Sequence, residues 1–395
     1  MSKIVITGMG IISPIGASVE QNLMALRAGT CGISKGNFIQ SKYSELLPFG
    51  EVKFSNESLE ETLNAHEPGV TRTSLLTLHA FKDAVEDAGF SAGIIRSPDT
   101  AFIGADTVGG MCLTDEMYKD ANLLSHGSAY LASYDFASVN MYIQSRFHLQ
   151  GIVNTINTAC SSSANAIMYG ARLIQQGYAT RAIVGGSDSL SKFTVNGFNS
   201  LNILSNEICK PFDEQRKGLN LGEGAAFLVL EKEEDVGSKK VYAELSGFCN
   251  KNDAYHPSSL SEVGEGPYLA MSGALKAASL SPSQIDFINA HGTGTENNDA
   301  VESAALLRVF EKVPAFASTK SNIGHTLGAS GAIEAVYSVL NIVHQEMYPA
   351  LHFQSPIPAS SLIPNLSYER RKVQHVLSNS FGFGGNCTSL VFSKT

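Results

Sequence analysis

The second half of the sequence repeats the first half in outline, and this repetition restricts the possible folds more than any other feature. A helical period over Phe81–Ala88 precedes a short turn and a buried strand at Phe102–Asp106. The same order returns in the helical period of Tyr268–Ala278 and the strand Asp286–His291. Two series of strands and helices in the same order predict an α/β protein built from duplicated halves.

A second pair of corresponding segments supports the duplication and suggests where the halves meet. A strand at Gly151–Ile156 leads through a run of small residues into a helix at Ile167–Ile174. Ser318–Val339 likewise contains a Gly- and Ala-rich helix after a strand. Because the charged segment Glu231–Lys240 separates the two series, we predict an N-terminal half over residues 1–235 and a C-terminal half over residues 236–395. Residues 30–70 show no clear period and are expected to form a surface loop.

The run of small residues contains the first candidate for chemistry, Cys160. It lies between a strand and a helix, where free backbone N–H groups and the helix dipole favour an anion. We therefore expect a lowered thiol pKa and a nucleophilic role. The alternative at this point is a buried structural cysteine, which is what most single cysteines are.

Composition excludes several classes of function. Of the 395 residues, 43% are hydrophobic and 16% are charged, as in a globular protein. The formal net charge of −9 argues against a general nucleic-acid binder. The six cysteines lack C-x-x-C spacing, so neither a metal site nor a disulfide framework is expected. The chain begins with a strand-like segment instead of a signal peptide and has no apolar run near the ~20 residues of a membrane span, so we expect a cytoplasmic protein.

Two histidines lie in glycine-rich turns of the second half. His291 follows a strand, so its imidazole should project from the carboxyl end, where α/β proteins bind ligands. His325 closes the segment Lys320–His325, between a strand and a helix. The turn Asn379–Cys387 offers backbone N–H groups for an oxyanion. One histidine alone is usually structural. One cysteine with two histidines at strand ends points instead to nucleophilic catalysis.

Taken together, these motifs resemble those of the β-ketoacyl-acyl-carrier-protein synthases, in their elongating Cys-His-His class. The resemblance covers essentially the whole chain and rests on four segments in order: Thr158-Ala159-Cys160-Ser161-Ser162, His291-Gly292-Thr293-Gly294-Thr295, Lys320-Ser321-Asn322-Ile323-Gly324-His325 and Asn379-Ser380-Phe381-Gly382-Phe383-Gly384-Gly385. It implies the thiolase fold, with two similar α/β halves in a five-layered α-β-α-β-α core. It also implies a decarboxylative Claisen condensation of a carried acyl group with malonyl-acyl-carrier protein.

The resemblance assigns roles to particular residues. Cys160 would carry the acyl group, while His291 and His325 would donate hydrogen bonds to the enolate formed from malonate, and Lys320 would tune the site. Phe383 would gate the acyl channel and supply an oxyanion N–H together with Cys160.

Further residues and partners follow from the same resemblance. Thr293 and Thr295 would bind the phosphopantetheine arm, and Val108 would line the acyl pocket. The supporting acidic residues would be Asp299, Glu302 and Glu334. No bound cofactor is implied, because phosphopantetheine arrives on the acyl carrier protein, which is the expected partner. A homodimer is expected, and a heterodimer with a second ketosynthase-like chain is the alternative.

Three departures from the family pattern concern the substrate. Ser161 and Ser162 after the nucleophile, like the Gly-Thr-Gly-Thr turn, resemble polyketide-type more than fatty-acid enzymes, which favours a specialised polyene or polyketide pathway over a housekeeping one. The segment after that turn, residues 296–299, also differs from the family's proline-containing turn. Asn202 stands where several bacterial members have a carrier-docking arginine. The cations that could compensate are Lys192, Lys210, Arg216 and Lys217.

Three other functions share some of these residues. A chain-length-factor subunit normally lacks the nucleophilic cysteine, so Cys160 argues against it. Thiolase or initiating-synthase activity would call for a Cys-His-Cys or Cys-His-Asn set, and His325 disfavours both. A cysteine hydrolase needs only a Cys-His pair, so no single residue excludes it. The full set of motifs nevertheless disfavours this function.

Overall fold

The strands of this computed structural model, which describes residues 2–395, fall into two series of the same topology. The first series consists of β1 Ile4–Ile12, β4 Thr100–Ala105, β5 Val153–Ile156, β6 Arg181–Asp188 and β7 Gly224–Lys232. The second consists of β8 Ala243–Asn252, β9 Phe287–Asn289, β10 Ala315–Ala317, β13 His375–Phe381 and β14 Asn386–Ser393. Four short strands form two separate ribbons: β2 Ile33–Lys35 with β3 Pro48–Gly50, and β11 Glu346–Met347 with β12 Glu369–Arg370.

The spatial order of the strands shows the duplication directly. The first series is ordered β5-β4-β6-β7-β1, and the second is ordered β10-β9-β13-β14-β8, which is the same arrangement of corresponding strands. In both series the first three strands are parallel, and the fourth and fifth pair antiparallel. The predicted duplicated α/β halves are therefore confirmed.

A short antiparallel pairing joins the two series into one sheet. Val5 lies opposite Glu244 and Ile6 opposite Ala243, so β1 and β8 meet at the middle of a ten-stranded order. The predicted boundary after residue 235 falls between β7 and β8, and its position stays a prediction.

The helices have the following bounds: α1 Val19–Arg27, α2 Asn56–Leu63, α3 Arg72–Asp87, α4 Ala92–Arg96, α5 Thr114–Leu123, α6 Ser138–Phe147, α7 Ser162–Gln175, α8 Lys192–Ser200, α9 Glu265–Ala278, α10 Glu296–Val309, α11 Lys320–Ile323 and α12 Ser330–His344. Helices α7 and α12 pack against each other and against strands of both series, so they form the middle layer. Helix α3 covers the outer face of the first series, and α9 with α10 covers the second. The result is the five-layered arrangement expected for the thiolase fold.

Glycines at equivalent places allow the outer helices to approach the sheet. A Cβ on Gly8 of β1 would lie 2.5 Å from the Ala84 carbonyl oxygen of α3. A Cβ on Gly247 of β8 would lie 2.4 Å from the Ala274 carbonyl oxygen of α9. Because a side chain at either position would collide with helix backbone, both halves bring helix and strand together by the same means.

The segment predicted to be a surface loop, residues 30–70, is more structured than expected. It contains α2 and the ribbon of β2 and β3. Helix α2 is capped by Ser55 and buries Leu59 and Leu63 in the outer core of the first half. This helix has only eight residues, and Leu59 and Leu63 are its two large apolar side chains, so its hydrophobic period is too short to stand out in the sequence.

Candidate active site

Cys160 lies in the turn between β5 and α7, where the sequence predicted it. Ala159 has a φ of 54°, in the left-handed region, and this turn directs the chain into the helix. The Ser162 hydroxyl accepts from the Thr158 N–H at 2.9 Å, and the Ser161 hydroxyl donates to the Thr158 carbonyl at 2.8 Å. These bonds within the turn hold Cys160, which is only 6% exposed, at the start of the helix.

The expected lowering of the Cys160 pKa is wrong. Burial raises the pKa of the thiol to about 11, while Lys320 and the backbone N–H groups of Phe383 and Cys160 act in the opposite direction. The sequence argument rightly placed favourable N–H groups at the helix start, but complete burial disfavours a thiolate more than they favour it. The resting side chain is therefore a thiol.

His291 follows β9 in a turn held by two buried carboxylates. The Glu302 carboxylate accepts from the backbone N–H groups of His291 at 2.9 Å and Gly292 at 2.8 Å. The Asp299 carboxylate accepts from the N–H of Thr293 at 2.9 Å. These acidic residues orient the turn through its backbone, which agrees with the supporting place that the sequence resemblance implies for them.

Both carboxylates are themselves affected by burial. Burial raises the pKa of Glu302 to about 7, opposed by the backbone N–H groups of Gly292 and His291. Burial also raises the pKa of Asp299, opposed by the Phe212 N–H, which donates to it at 2.7 Å. Each carboxylate therefore depends on its N–H donors to stay charged.

His325 lies between α11 and α12, and its backbone is tied to a neighbouring segment. Its N–H donates to the Asn220 carbonyl at 2.7 Å, and its carbonyl accepts from the Gly222 N–H at 2.9 Å. The Leu327 N–H donates to the His325 Nδ1 at 3.2 Å. Since Nδ1 accepts this bond, the neutral imidazole carries its proton on Nε2.

Lys320 lies between a histidine and a carboxylate in the buried interior. Its Nζ is 3.3 Å from the His291 Nδ1 and 2.5 Å from the Glu334 Oε1. Both Lys320 and Glu334 are only 1% exposed. An ammonium donor at the Nδ1 leaves the proton of neutral His291 on Nε2, as in His325.

The electrostatic surroundings keep both histidines neutral. Burial lowers the pKa of His291 well below 6.5, and Lys320 and His325 lower it further. Burial and Lys320 likewise lower the pKa of His325 well below 6.5. At neutral pH both imidazoles are therefore uncharged hydrogen-bond donors through Nε2.

The two halves bring Cys160, His291 and His325 into one cluster. The sulfur and the nearest ring nitrogens all lie within 4.8 Å of one another, and the two rings are 5.4 Å apart at 85°. Thiolate and imidazole are ligands that zinc prefers, so the cluster has three donors for such an ion. The expectation that the site uses no metal stays a prediction.

The cluster lies at the end of a cavity of about 430 Å³. Thr293 and Thr295 line it, and their hydroxyls lie 2.9 Å apart. Phe383 also lines it, and its ring stacks on Phe198 with 5.8 Å between centroids. Val108 is buried at the turn after β4 and is not among the described residues that line this cavity. Its role in the acyl pocket stays a prediction.

Two positions that the sequence did not single out also belong to the site. One is Phe198, which lines the cavity. The sequence analysis had considered Asn202, which lines the same cavity, but not Phe198. Asp188 is the other: it accepts from the Gly328 N–H at 2.6 Å and the Thr107 hydroxyl at 2.7 Å. Asp188 thus ties the loop after His325 to the first half. The sequence feature that could have indicated Asp188 is its place as an aspartate at the end of the Gly-rich strand β6.

The cations considered for carrier docking already have partners. Lys192 pairs with Asp115 at 3.0 Å. Lys210 and Lys217 pair with Glu207 at 3.9 Å and 2.6 Å. The Arg216 guanidinium donates to backbone carbonyls, including that of Thr295 at 3.1 Å. Of these cations, Lys217 lines the described cavity, together with the uncharged Asn202.

Comparisons with known proteins agree with this geometry. The family model described as "Beta-ketoacyl synthase, N-terminal domain" matches residues 1–236, and "Beta-ketoacyl synthase, C-terminal domain" matches residues 242–354. The chain is 32% identical to 3-oxoacyl-[acyl-carrier-protein] synthase 2 of Coxiella burnetii, over 99% of this chain and 98% of that protein.

Two solved structures share the fold along the whole chain. One is a type II PKS ketosynthase bound to the hexaketide, solved in complex with its acyl-carrier protein (TM-score 0.88, 25% identity, 100% of both chains). The other is a ketosynthase in complex with its chain length factor from Xenorhabdus doucetiae (TM-score 0.88, 29% identity, 100% of this chain and 98% of that chain).

Proposed function

Since the chain belongs to the β-ketoacyl synthase family, we propose that Cys160, His291 and His325 carry out its condensation reaction. The chain is a carbon–carbon bond-forming acyltransferase that catalyses the Claisen condensation of fatty-acid or polyketide synthesis. The observation that carries the residue assignment is the cluster itself, in which a thiol and two neutral Nε2 donors converge at the end of a cavity.

In the first half-reaction an acyl group moves from a carrier protein to Cys160. The sulfur bonds to the acyl carbonyl carbon, the bond to the phosphopantetheine sulfur breaks, and the thiol proton passes to that departing sulfur. We propose that the N–H groups of Cys160 and Phe383, both of which lower the thiol pKa at rest, then bind the carbonyl oxyanion. Phosphopantetheine belongs to the carrier, and we propose no resident cofactor.

In the second half-reaction a malonyl group loses CO2 and attacks the acyl carbon. When the bond to CO2 breaks, its electron pair forms a thioester enolate, whose oxygen accepts from the Nε2–H groups of His291 and His325. The enolate carbon then bonds to the acyl carbon, the bond to Cys160 breaks, and the thiolate takes up one proton from solvent. Neutral histidines suit this step because it needs donors that keep their protons. Decarboxylation is usually assigned to the His291 equivalent in this family, and either histidine meets the geometric requirement.

Lys320 and Glu334 support this chemistry from the interior. The ammonium fixes the Nδ1 side of His291 and lowers the Cys160 pKa, while Glu334 balances its charge. Thr293 and Thr295 line the cavity, which supports the proposal that they bind the phosphopantetheine arm. Phe383 stacks on Phe198, and we propose that it gates acyl entry by leaving this stack.

The first test is acylation of the purified protein. It is incubated with acyl-carrier-protein thioesters of saturated and unsaturated primers, and the Cys160 peptide is analysed by mass spectrometry. We expect an added acyl mass on that peptide, followed by β-ketoacyl product when malonyl-carrier protein is supplied. An unmodified Cys160 peptide across the whole primer panel would contradict the assignment. The panel also separates a fatty-acid from a polyene or polyketide role.

We further propose that the chain is a cytoplasmic dimer that takes its substrates from an acyl carrier protein. No described helix is long and apolar enough to cross a membrane. Strand β5 is at the end of the sheet order and is only partly buried, so its outer edge is free to pair. Exposed apolar residues lie beside it, among them Phe136 and Met141. An apolar surface next to an open strand edge suits a second copy of this chain or a related chain.

The dimer proposal is tested by substitution at this edge. Met141 and Met24 are 59% and 60% exposed, and Met24 lies on α1 away from β5. Met141→Glu is expected to convert a dimer to monomer in light scattering, while Met24→Glu stays dimeric. A monomeric parent protein that dimerises only with a co-expressed ketosynthase-like chain would favour the heterodimer instead.

A further inference from the structure

A buried polar network joins the nucleophile turn to the loop that carries Phe383. At its centre, the Asn386 Oδ1 accepts from the Ser161 hydroxyl at 2.8 Å, the Asn165 amide at 2.9 Å and the Asn250 amide at 2.6 Å. Ser161 is fully buried and Asn165 nearly so. The Thr388 hydroxyl is a more distant fourth donor at 3.5 Å. Because these donors share one oxygen, removing it would leave several buried N–H and O–H groups without that partner.

Bonds among these neighbours fix the direction of each amide. The Asn165 Oδ1 accepts from the Asn250 amide at 3.1 Å and from the Thr388 hydroxyl at 2.9 Å. The Asn165 amide also donates to the Thr158 hydroxyl at 2.8 Å. With both neighbouring amides turned to donate, the position at residue 386 needs an acceptor oxygen.

The network connects the two ends of the catalytic apparatus. Ser161 is the residue after Cys160, and Asn386 is the first residue of β14. The Asn386 carbonyl accepts from the Gly382 N–H at 2.8 Å and so closes the loop of residues 382–386. The Asn386 side chain thereby ties the end of this loop to the start of α7.

The position of this loop affects the nucleophile directly. A Cβ on Gly382 would lie 2.6 Å from the Thr158 carbonyl oxygen and 3.2 Å from the Cys160 nitrogen, so the loop backbone packs closely on the turn. The Phe383 N–H also lowers the Cys160 pKa, so it acts close to this thiol. On its other side the loop is held by the Gly384 N–H, which donates to the Pro257 carbonyl at 2.7 Å. A loop free to shift outward would move the Phe383 N–H away from Cys160.

We propose that Asn386 is a positioning residue that holds the Phe383 N–H in place for acyl transfer to Cys160. This inference rests on the proposed function, since it concerns the oxyanion of the first half-reaction. It separates the two half-reactions, because the His291 N–H is held by Glu302 and the His325 Nδ1 by the Leu327 N–H, and neither partner is a member of this network.

The test compares the two half-reactions in one set of variants. For Asn386→Ala we expect acylation of Cys160 by a fixed acyl-carrier thioester to slow about 10- to 100-fold, somewhat less than the loss of a whole oxyanion donor. Ser161→Ala removes only one of the donors to the Asn386 Oδ1 and should have a smaller effect. Asn386→Asp keeps an acceptor oxygen and should retain more acylation than Asn386→Ala.

Malonyl decarboxylation distinguishes positioning of the Phe383 loop from a general structural role of Asn386, because a general loss of structure would slow this reaction as well. It is measured with Asn386→Ala added to Cys160→Gln, where we expect the same rate as in Cys160→Gln alone. Ser246→Ala serves as a control, because Ser246 bonds to Ser393 at 2.6 Å across the same strand pair, away from the network. This control should acylate normally.

The possible outcomes are distinct. Normal acylation by Asn386→Ala, or an equal fall of both half-reactions, would overturn the inference. If Asn386→Ala does not fold, Ser161→Ala decides it by the same comparison. Failure of the unmodified protein to acylate would overturn the proposed function, and this inference with it.

Discussion

The turn after β5 and the turn after β10 occupy equivalent places in the two halves, yet they carry different chemistry. The first covers residues 157–161 and presents one thiol. The second covers residues 318–329 and contains α11, Lys320 and His325. A duplicated scaffold has therefore kept the strands and helices and diverged in the loops at the strand ends, where function usually resides.

In the proposed mechanism, this difference lets one site stabilise two oxyanions at different steps. Around Cys160 the donors are backbone N–H groups, fixed by a tight turn and by the neighbouring Phe383 loop. In the second half the donors are side chains, His291 and His325, kept neutral by burial and by Lys320. We therefore expect that the two half-reactions can be disabled separately.

The largest expected effect comes from removing the thiol of the first half. Cys160→Ala should abolish acylation and lower condensation about 10⁴-fold or more, as loss of a nucleophile does elsewhere. Cys160→Gln should also fail to acylate, but it should still release CO2 from malonyl-carrier protein, because the histidine donors are intact. Both rates are followed by mass spectrometry and by CO2 release. Loss of both activities in folded Cys160→Gln would contradict the division between the halves.

In the second half, loss of a histidine is expected to slow decarboxylation and to leave acylation of Cys160 intact. His325→Ala removes one enolate donor and should slow decarboxylation about 10²- to 10³-fold, the usual cost of a lost oxyanion donor. The acyl mass on Cys160 should still appear. His352→Ala, a change at an exposed histidine, is the control and should leave both rates unchanged. If His325→Ala fails to acylate Cys160, this histidine does not act in the second step alone, and its assignment to that step is wrong.

A third expected effect concerns the interior of the second turn. Lys320→Met leaves Glu334 buried without its cation, and burial already raises the pKa of this carboxyl. Breaking a buried pair costs about 3–5 kcal/mol, so the free energy of unfolding measured in urea should fall by that order. The control is Lys192→Met, which breaks the exposed pair with Asp115 and should cost at most about 1 kcal/mol. Equal losses would show that burial of the Lys320 pair does not matter.

Much of the site could be predicted from sequence because its residues lie in short motifs at strand ends. The place of Cys160 between a strand and a helix follows from hydrophobic patterning, as do the strand before His291 and the order of the two halves. The strand predicted at Phe102–Asp106 is present as β4, Thr100–Ala105. These features depend on neighbours in the chain, which a sequence displays directly.

The features that sequence could not supply depend on contacts between distant segments. The sign of the Cys160 pKa shift was wrong because the depth of burial is set by the second half packing over the turn. Phe198 meets Phe383, and Asn386 meets Ser161, although each pair is far apart in the chain. Neither pairing has a local pattern, so both require the fold.

The smallest expected effect tests how the second half acts on the thiol of the first. With a Cys160 pKa of about 11, the reactive thiolate fraction should rise tenfold per pH unit from pH 7 to 10, and so should alkylation by iodoacetamide at the Cys160 peptide. Because Lys320 lowers this pKa, a folded Lys320→Met protein should be alkylated about three- to tenfold more slowly at pH 9, where thiolate is still the minor form. Lys192→Met should match the unmodified protein. A plateau of alkylation near pH 8 would show that the helix start and Lys320 together outweigh burial, and that the two turns lower the thiol pKa jointly.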